Sequence, residues 1–123
     1  MQHATPCHPY HDPSDLNRAR AVGALAAPEF AAWRSFQEAV DRGDGALPRR
    51  TRELLAIAVA LTTQCSYCLD VHTAQARRYG VTEQELAEVV FVAAAVRAGA
   101  SLAHGLQAMK LYEAHGAAAP LPS

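Results

Sequence analysis

Positive charge is what this sequence most plainly lacks in surplus. Its 11 Lys and Arg stand against 12 Asp and Glu, a formal net charge of −1, with both signs scattered along 123 residues. No basic patch is available for a phosphate backbone or an anionic bilayer, so neither nucleic acid nor membrane is an expected partner. Aromatic residues make up 7% of the chain, and no stretch alternates apolar and polar side chains as a half-buried strand would. The absence of that period excludes a sheet-based fold. Cysteine is scarce: Cys7, Cys65 and Cys68 are too few for a disulfide-stapled scaffold. The longest strongly apolar run, Leu54 to Leu61, falls short of the roughly 20 residues a membrane span requires. The opening residues Met1 to Pro6 have neither the basic start nor the apolar stretch of a signal peptide. The expected location is therefore cytoplasmic, where a Cys-x-x-Cys is more often catalytic or metal-binding than structural.

What is present is a single-domain composition, half apolar, patterned for helices. Residues 1–13 hold His3, Cys7, His8, His11 and three prolines without apolar periodicity, and read as a flexible arm. The single domain then spans 14–115, and the Ala/Pro-rich end, 116–123, reads as frayed. Between Ser14 and Val40 the pattern is helical, with Pro28 starting the second helix and Phe30, Trp33, Phe36 and Val40 predicted to line a buried face. A helix over 49–63 is apolar on nearly every side at its centre, which predicts enclosure, in part by another subunit. Another helix is predicted from Ser66 to Tyr79, with Gly80 just beyond its end. Thr82 and Glu85 form a capping box that opens a helix through Val96. Gly99 interrupts, and a last helix runs from about Ser101 to Glu113.

The chemistry concentrates at Cys65-Ser66-Tyr67-Cys68. On a helix, residues three and four apart share a face, so Cys65, Cys68 and His72 form one stripe at the start of the helix over 66–79. The two thiols are then close enough for a local disulfide. A thiol in a first helical turn also sits at the positive end of the helix dipole, which favours the nucleophilic thiolate. Glu53 joins them if helices 49–63 and 66–79 form an antiparallel hairpin. It then lies about 16 Å below the turn and His72 about 10 Å below, a gap two side chains can span. In that arrangement Glu53 orients His72, and His72 takes the proton of Cys68. Zinc is the alternative use of two thiolates, an imidazole and a carboxylate, but three candidates on one helix stripe close a tetrahedron poorly. No metal or other cofactor is expected. Tyr67 and His104 are accessory candidates, the first through its hydroxyl and the second as another base.

The spacing Glu53-x11-Cys65-x2-Cys68-x3-His72 resembles the signature of alkylhydroperoxidase D-like (AhpD-like) proteins of the carboxymuconolactone decarboxylase family. Gly45-Ala46-Leu47-Pro48 and Tyr79-Gly80-Val81-Thr82 agree with it, and the likeness covers roughly residues 30 to 110. It implies an all-α fold around a central helical hairpin, assembled as a trimer or hexamer. It also implies reduction of organic or hydrogen peroxides, or disulfide exchange, through Cys65 and Cys68, with electrons from a thiol or dithiol reductant. The best-known members carry histidine where this chain has Tyr67, which removes a proton carrier. Two other readings stand beside this one. An acid–base decarboxylase would use Glu53 and His72 alone, and a non-catalytic redox sensor would oxidise the pair without turnover.

Overall fold

Helix-forming stretches separated by proline, glycine and capping residues give five α-helices in the computed structural model, which describes residues 10–117 and 120–122. No strand occurs among the described residues. A 3-10 turn, Pro13–Arg18, leads into α1 (Ala19–Leu25) and α2 (Ala27–Val40), with Pro28 in the first turn of α2 where its missing N–H costs little. Then come α3 (Arg49–Thr63), α4 (Ser66–Arg78) and α5 (Glu83–Ala114). Of the arm predicted over 1–13, residues 1–9 lie outside the described residues, and His11 to Pro13 pack back onto α4. The predicted frayed end lies partly outside them too.

The hairpin of α3 and α4 is the centre of the molecule. Gln64 takes the left-handed conformation at φ 56°, and the Cys65 N–H closes the end of α3 by donating to the Ala60 carbonyl at 3.0 Å. The chain reverses within two residues, and α4 returns along α3. Helix α5 packs on the other side of α3, α1 pairs with α2, and the 3-10 turn rests on α4. Ile57 and Ala60 of α3, Ala76 of α4 and Ala93 of α5 are buried where these helices meet.

Two expectations are corrected. Phe30, Trp33, Phe36 and Val40 do not line a buried face within the chain: Trp33, Phe36 and Val40 are exposed, because α2 packs only against α1. Within the single chain α3 leaves Leu55 and Val59 half exposed, the part of its surface expected to be covered by another subunit. Finally, Gly99 does not interrupt the last segment. A glycine costs a helix interior only about 1 kcal/mol, and with no proline nearby the helix continues through it for 32 residues. Continuity changes the reckoning of apolar length: an 18-residue window of α5 reaches a mean hydropathy of 1.7, long and apolar enough to cross a membrane by length and composition. Beyond Ala93 every residue of α5 is exposed except Gly105.

The start of α5 is fixed by the capping box. Glu85 N–H donates to the Thr82 hydroxyl at 3.2 Å, and Thr82 N–H donates to the Glu85 carboxylate at 2.9 Å. Arg50 of α3 pairs with the same carboxylate, tying the two helices together. The Arg50 guanidinium first, and then the Thr82 donors, hold the Glu85 carboxyl down to about 2, from 4.5. A carboxyl that titrates lower in the folded chain contributes stability above its unfolded value and loses it on acidification. The melting temperature of the wild type is therefore expected to fall more than that of Glu85→Gln between pH 4.5 and about 2. Parallel falls would show that this cap contributes nothing.

Candidate active site

Glu53 lies in the second turn of α3 and is 2% exposed. A carboxylate that deeply buried needs partners on both oxygens. It has them: Arg49, one turn earlier on α3, donates from Nη2 to Oε1 at 3.0 Å, and His72 Nδ1 of α4 stands 2.7 Å from Oε2. Arg49 is itself positioned by Asp41, 3.3 Å away, and by the ring of Tyr79, over which its guanidinium lies 5.4 Å from the centroid. A cation in the first turn of α3 opposes the helix dipole; two carboxylates and an aromatic face offset that cost. Arg49 was absent from the residues singled out in the sequence. Its signal was the Arg49–Glu53 spacing, the i,i+4 pairing of a helix face.

Bonding of His72 Nδ1 to the carboxylate leaves Nε2 for other work. One turn back on α4 is Cys68, and the two line the same two cavities. The larger, about 700 Å³, runs beside the apolar stripe of α3 formed by Leu55, Ala56, Val59 and Ala60. The smaller, about 330 Å³, holds the polar groups Arg49, Glu53, Gln37 and Gln75. Cys68 therefore faces an apolar chamber on one side and the Arg49–Glu53–His72 cluster on the other.

Cys65 is not in the helix but caps it. Its Sγ accepts the Cys68 N–H at 3.2 Å, and the two cysteines form a disulfide with Cα atoms 5.3 Å apart. The N-cap position places this sulfur at the positive end of α4, and Cys65 lines neither cavity.

Tyr67 lines the smaller cavity with Cys68 and His72, and its hydroxyl is taken up by the N-terminal segment. Its hydroxyl donates to Asp15 of the 3-10 turn at 2.7 Å, and its ring lies 4.3 Å from that of His11, which bonds Asp70 at 2.9 Å. The Asp15 bond, with burial, pushes the tyrosine hydroxyl above its usual range. Tyr67 thus straps the segment Tyr10–Arg18 across α4 beside the disulfide. His104 is exposed on α5, which packs on α3 alone, and lines neither cavity. The structure brings Glu53, Cys65, Cys68 and His72 together and leaves His104 out.

A family model for carboxymuconolactone decarboxylases matches residues 27–111, which hold the whole of this hairpin and its cluster. The chain belongs to the carboxymuconolactone decarboxylase family. A crystal structure of an apo member of that family from Legionella pneumophila superposes with a TM-score of 0.61 at 29% identity, covering 82% of this chain and 90% of that one. Uncharacterized protein 4 in the cox locus of Paracoccus denitrificans is 46% identical over 70 residues, 57% of this chain and 63% of that protein. The alkyl hydroperoxide reductase AhpD of Hyphomonas neptunium is 27% identical over 99 residues, 69% of this chain and 55% of that protein. Within the family the chain is AhpD-like, and its Cys65–Cys68 disulfide fits that type.

The geometry makes Glu53 a positioning group for His72. In the reduced chain, Glu53→Gln is expected to leave about tenfold less Cys68 thiolate near neutral pH. The rate of alkylation of Cys68 against pH measures it. An unchanged profile would remove Glu53 from the relay.

Proposed function

We propose that this family member is a thiol peroxidase and disulfide oxidoreductase in which Cys68 is the attacking thiol. The observation that carries the reading is the shared setting of Cys68 and His72: both line the apolar cavity, and His72 is oriented from behind by a buried carboxylate. In the reduced chain, His72 Nε2 takes the Cys68 proton. The thiolate attacks the distal oxygen of a hydroperoxide, the O–O bond breaks, and the alkoxide leaves as alcohol with the proton from His72. Cys68 is now a sulfenic acid. The Cys65 thiol attacks its sulfur and expels water, forming the disulfide. Two electrons from an external thiol or dithiol restore the pair, entering at Cys65, the sulfur turned away from both cavities. One hydroperoxide and two thiols thus give one alcohol, one water and one disulfide.

The decarboxylase reading leaves the cysteine pair without a role, and a sensor that does not turn over leaves the cavity without one. Serine at either position separates them. Cys65→Ser and Cys68→Ser are each expected to abolish multiple turnover of an organic hydroperoxide with a dithiol reductant. Full activity in both variants would contradict the reading and favour acid–base chemistry at Glu53 and His72.

In this reading the exposed half of α5 is the assembly surface. Val96, Leu102, Leu106 and Met109 are each more than half exposed, and exposed apolar side chains grouped on one helix suit an interaction surface. In this reading α5 packs against other copies in a trimer or hexamer in the cytoplasm rather than entering a bilayer. Light scattering in detergent-free buffer is expected to give three or six times the 13.1 kDa chain mass, falling on Leu106→Glu. A monomer, or a chain soluble only in detergent, would overturn this.

A further inference from the structure

The loop between α2 and α3 is built around two guanidinium groups. Arg52 Nε donates to the Leu47 carbonyl at 3.0 Å, and Nη1 donates to the carbonyls of Val40 and Arg42. Its Nη2 has no hydrogen-bond partner among the described residues. Arg42 donates from Nη1 to the Ala39 carbonyl at 2.9 Å, and its Nε lies 3.7 Å from the exposed Asp44 carboxylate. Its Nη2 is likewise unpartnered among the described residues. Both free amino groups converge on Gly45: a side-chain carbon there would collide with Arg52 Nη2 and come 3.3 Å from Arg42 Nη2. Glycine at this position is what lets the two cations approach one another.

Arg42 and Arg52 also line the same cavity as Cys68 and His72. Between them the walls are apolar, formed by Leu47, Leu55 and Val59. Arg52 lies in the first turn of α3, whereas Cys68 is near the turn of the hairpin, so cationic end and sulfur are about two and a half helical turns apart along the axis, roughly 13 Å. The cavity volume, about 700 Å³, lies in the range of small-molecule sites. Arg42 and Arg52 bring two positive charges to its lining, and the exposed Asp44 carboxylate, 3.7 Å from Arg42 and outside the lining, offsets one of them.

We propose that this cavity binds an amphipathic monoanion, an alkyl carboxylate. The carboxylate sits on Arg42 and Arg52, the chain lies along Leu47, Leu55 and Val59, and the reacting group reaches Cys68. Charge-assisted bonds from guanidinium to carboxylate fix the register, and the apolar stripe supplies affinity. The single net charge selects a carboxylate over a dianionic phosphate. Resting on the peroxidase reading for its chemistry, the proposal makes the substrate class a fatty-acid hydroperoxide, reduced by the balanced sequence given above. The binding itself does not depend on that reading.

The test uses the oxidised full-length chain, so that no turnover is required. Calorimetric titration compares laurate, its methyl ester and dodecyl phosphate. Laurate is expected to bind about tenfold more tightly than the ester, the equivalent of about 1.4 kcal/mol, and more tightly than the phosphate. Arg42→Gln is expected to weaken laurate about tenfold and close the gap to the ester, and Arg42→Lys to restore part of it. Arg42 is chosen because its side chain is 56% exposed, whereas Arg52 holds the loop together. Equal binding of acid and ester, tighter binding of the phosphate, no binding of laurate, or an Arg42→Gln chain with undiminished preference for the acid would each overturn the proposal. Selective laurate binding by a chain that reduces no hydroperoxide would uphold the site and refute the peroxidase reading. Turnover of hydroperoxides without preference for acids would do the reverse.

Discussion

A carboxylate taken out of water and left unpaired would cost a protein of this size much of its stability. At Glu53 that cost is offset by two partners on opposite oxygens, the Arg49 guanidinium from its own helix and His72 Nδ1 from the next. The arrangement constrains everything around it. It fixes the lateral register of α3 against α4, because the 2.7 Å contact to His72 exists only at one sliding position of the hairpin. It fixes the imidazole ring and reserves Nε2 for the side of α4 that carries Cys68. Pairing of this kind is weak evidence for stability and a better account of specificity, since an apolar pair could hold the hairpin but could not aim a base.

Around that fixed point the molecule separates polar from apolar duties. The smaller cavity contains the charged groups that orient His72 among the apolar side chains Leu16, Trp33 and Val71, and the larger one lies along the apolar stripe of α3 beside the same sulfur. The strap over α4 closes one approach, with Tyr67 held by Asp15 and His11 held by Asp70. At the position between the two cysteines, the Tyr67 hydroxyl serves as a donor to Asp15. Helix α5 belongs to a different scale of organisation. Its first turns pack on α3, and its later ones present apolar side chains that the chain itself cannot cover.

How far the sequence disclosed this depended on the range of each interaction. Local periodicity was enough to put Cys68 and His72 on one face and to locate the Thr82 capping box, because those relations lie within a turn or two of helix. Glu53 needed a hairpin, which the Glu-Cys-Cys-His spacing and the family likeness supplied. Arg49 escaped notice although its i,i+4 signal was present, because an arginine near a helix start reads as a solvated charge until the burial of its partner is known. The break expected at Gly99 failed because glycine weakens a helix without stopping it. The face of α2 was misjudged because apolar periodicity says that a face wants cover, not whether the cover comes from the same chain. The bond from Tyr67 to Asp15 spans 52 positions, and no local pattern announces it.

The central claim is that Cys65 and Cys68 are a working pair driven by peroxide, not a static crosslink. A single-turnover experiment reaches it directly: the fully reduced wild-type chain is mixed with one equivalent of an organic hydroperoxide, and disulfide and alcohol are followed together. The account predicts one disulfide between Cys65 and Cys68 for each alcohol released, with a sulfenic acid on Cys68 preceding it. Alcohol released without loss of thiols, or thiols that persist in the presence of the peroxide, would contradict it.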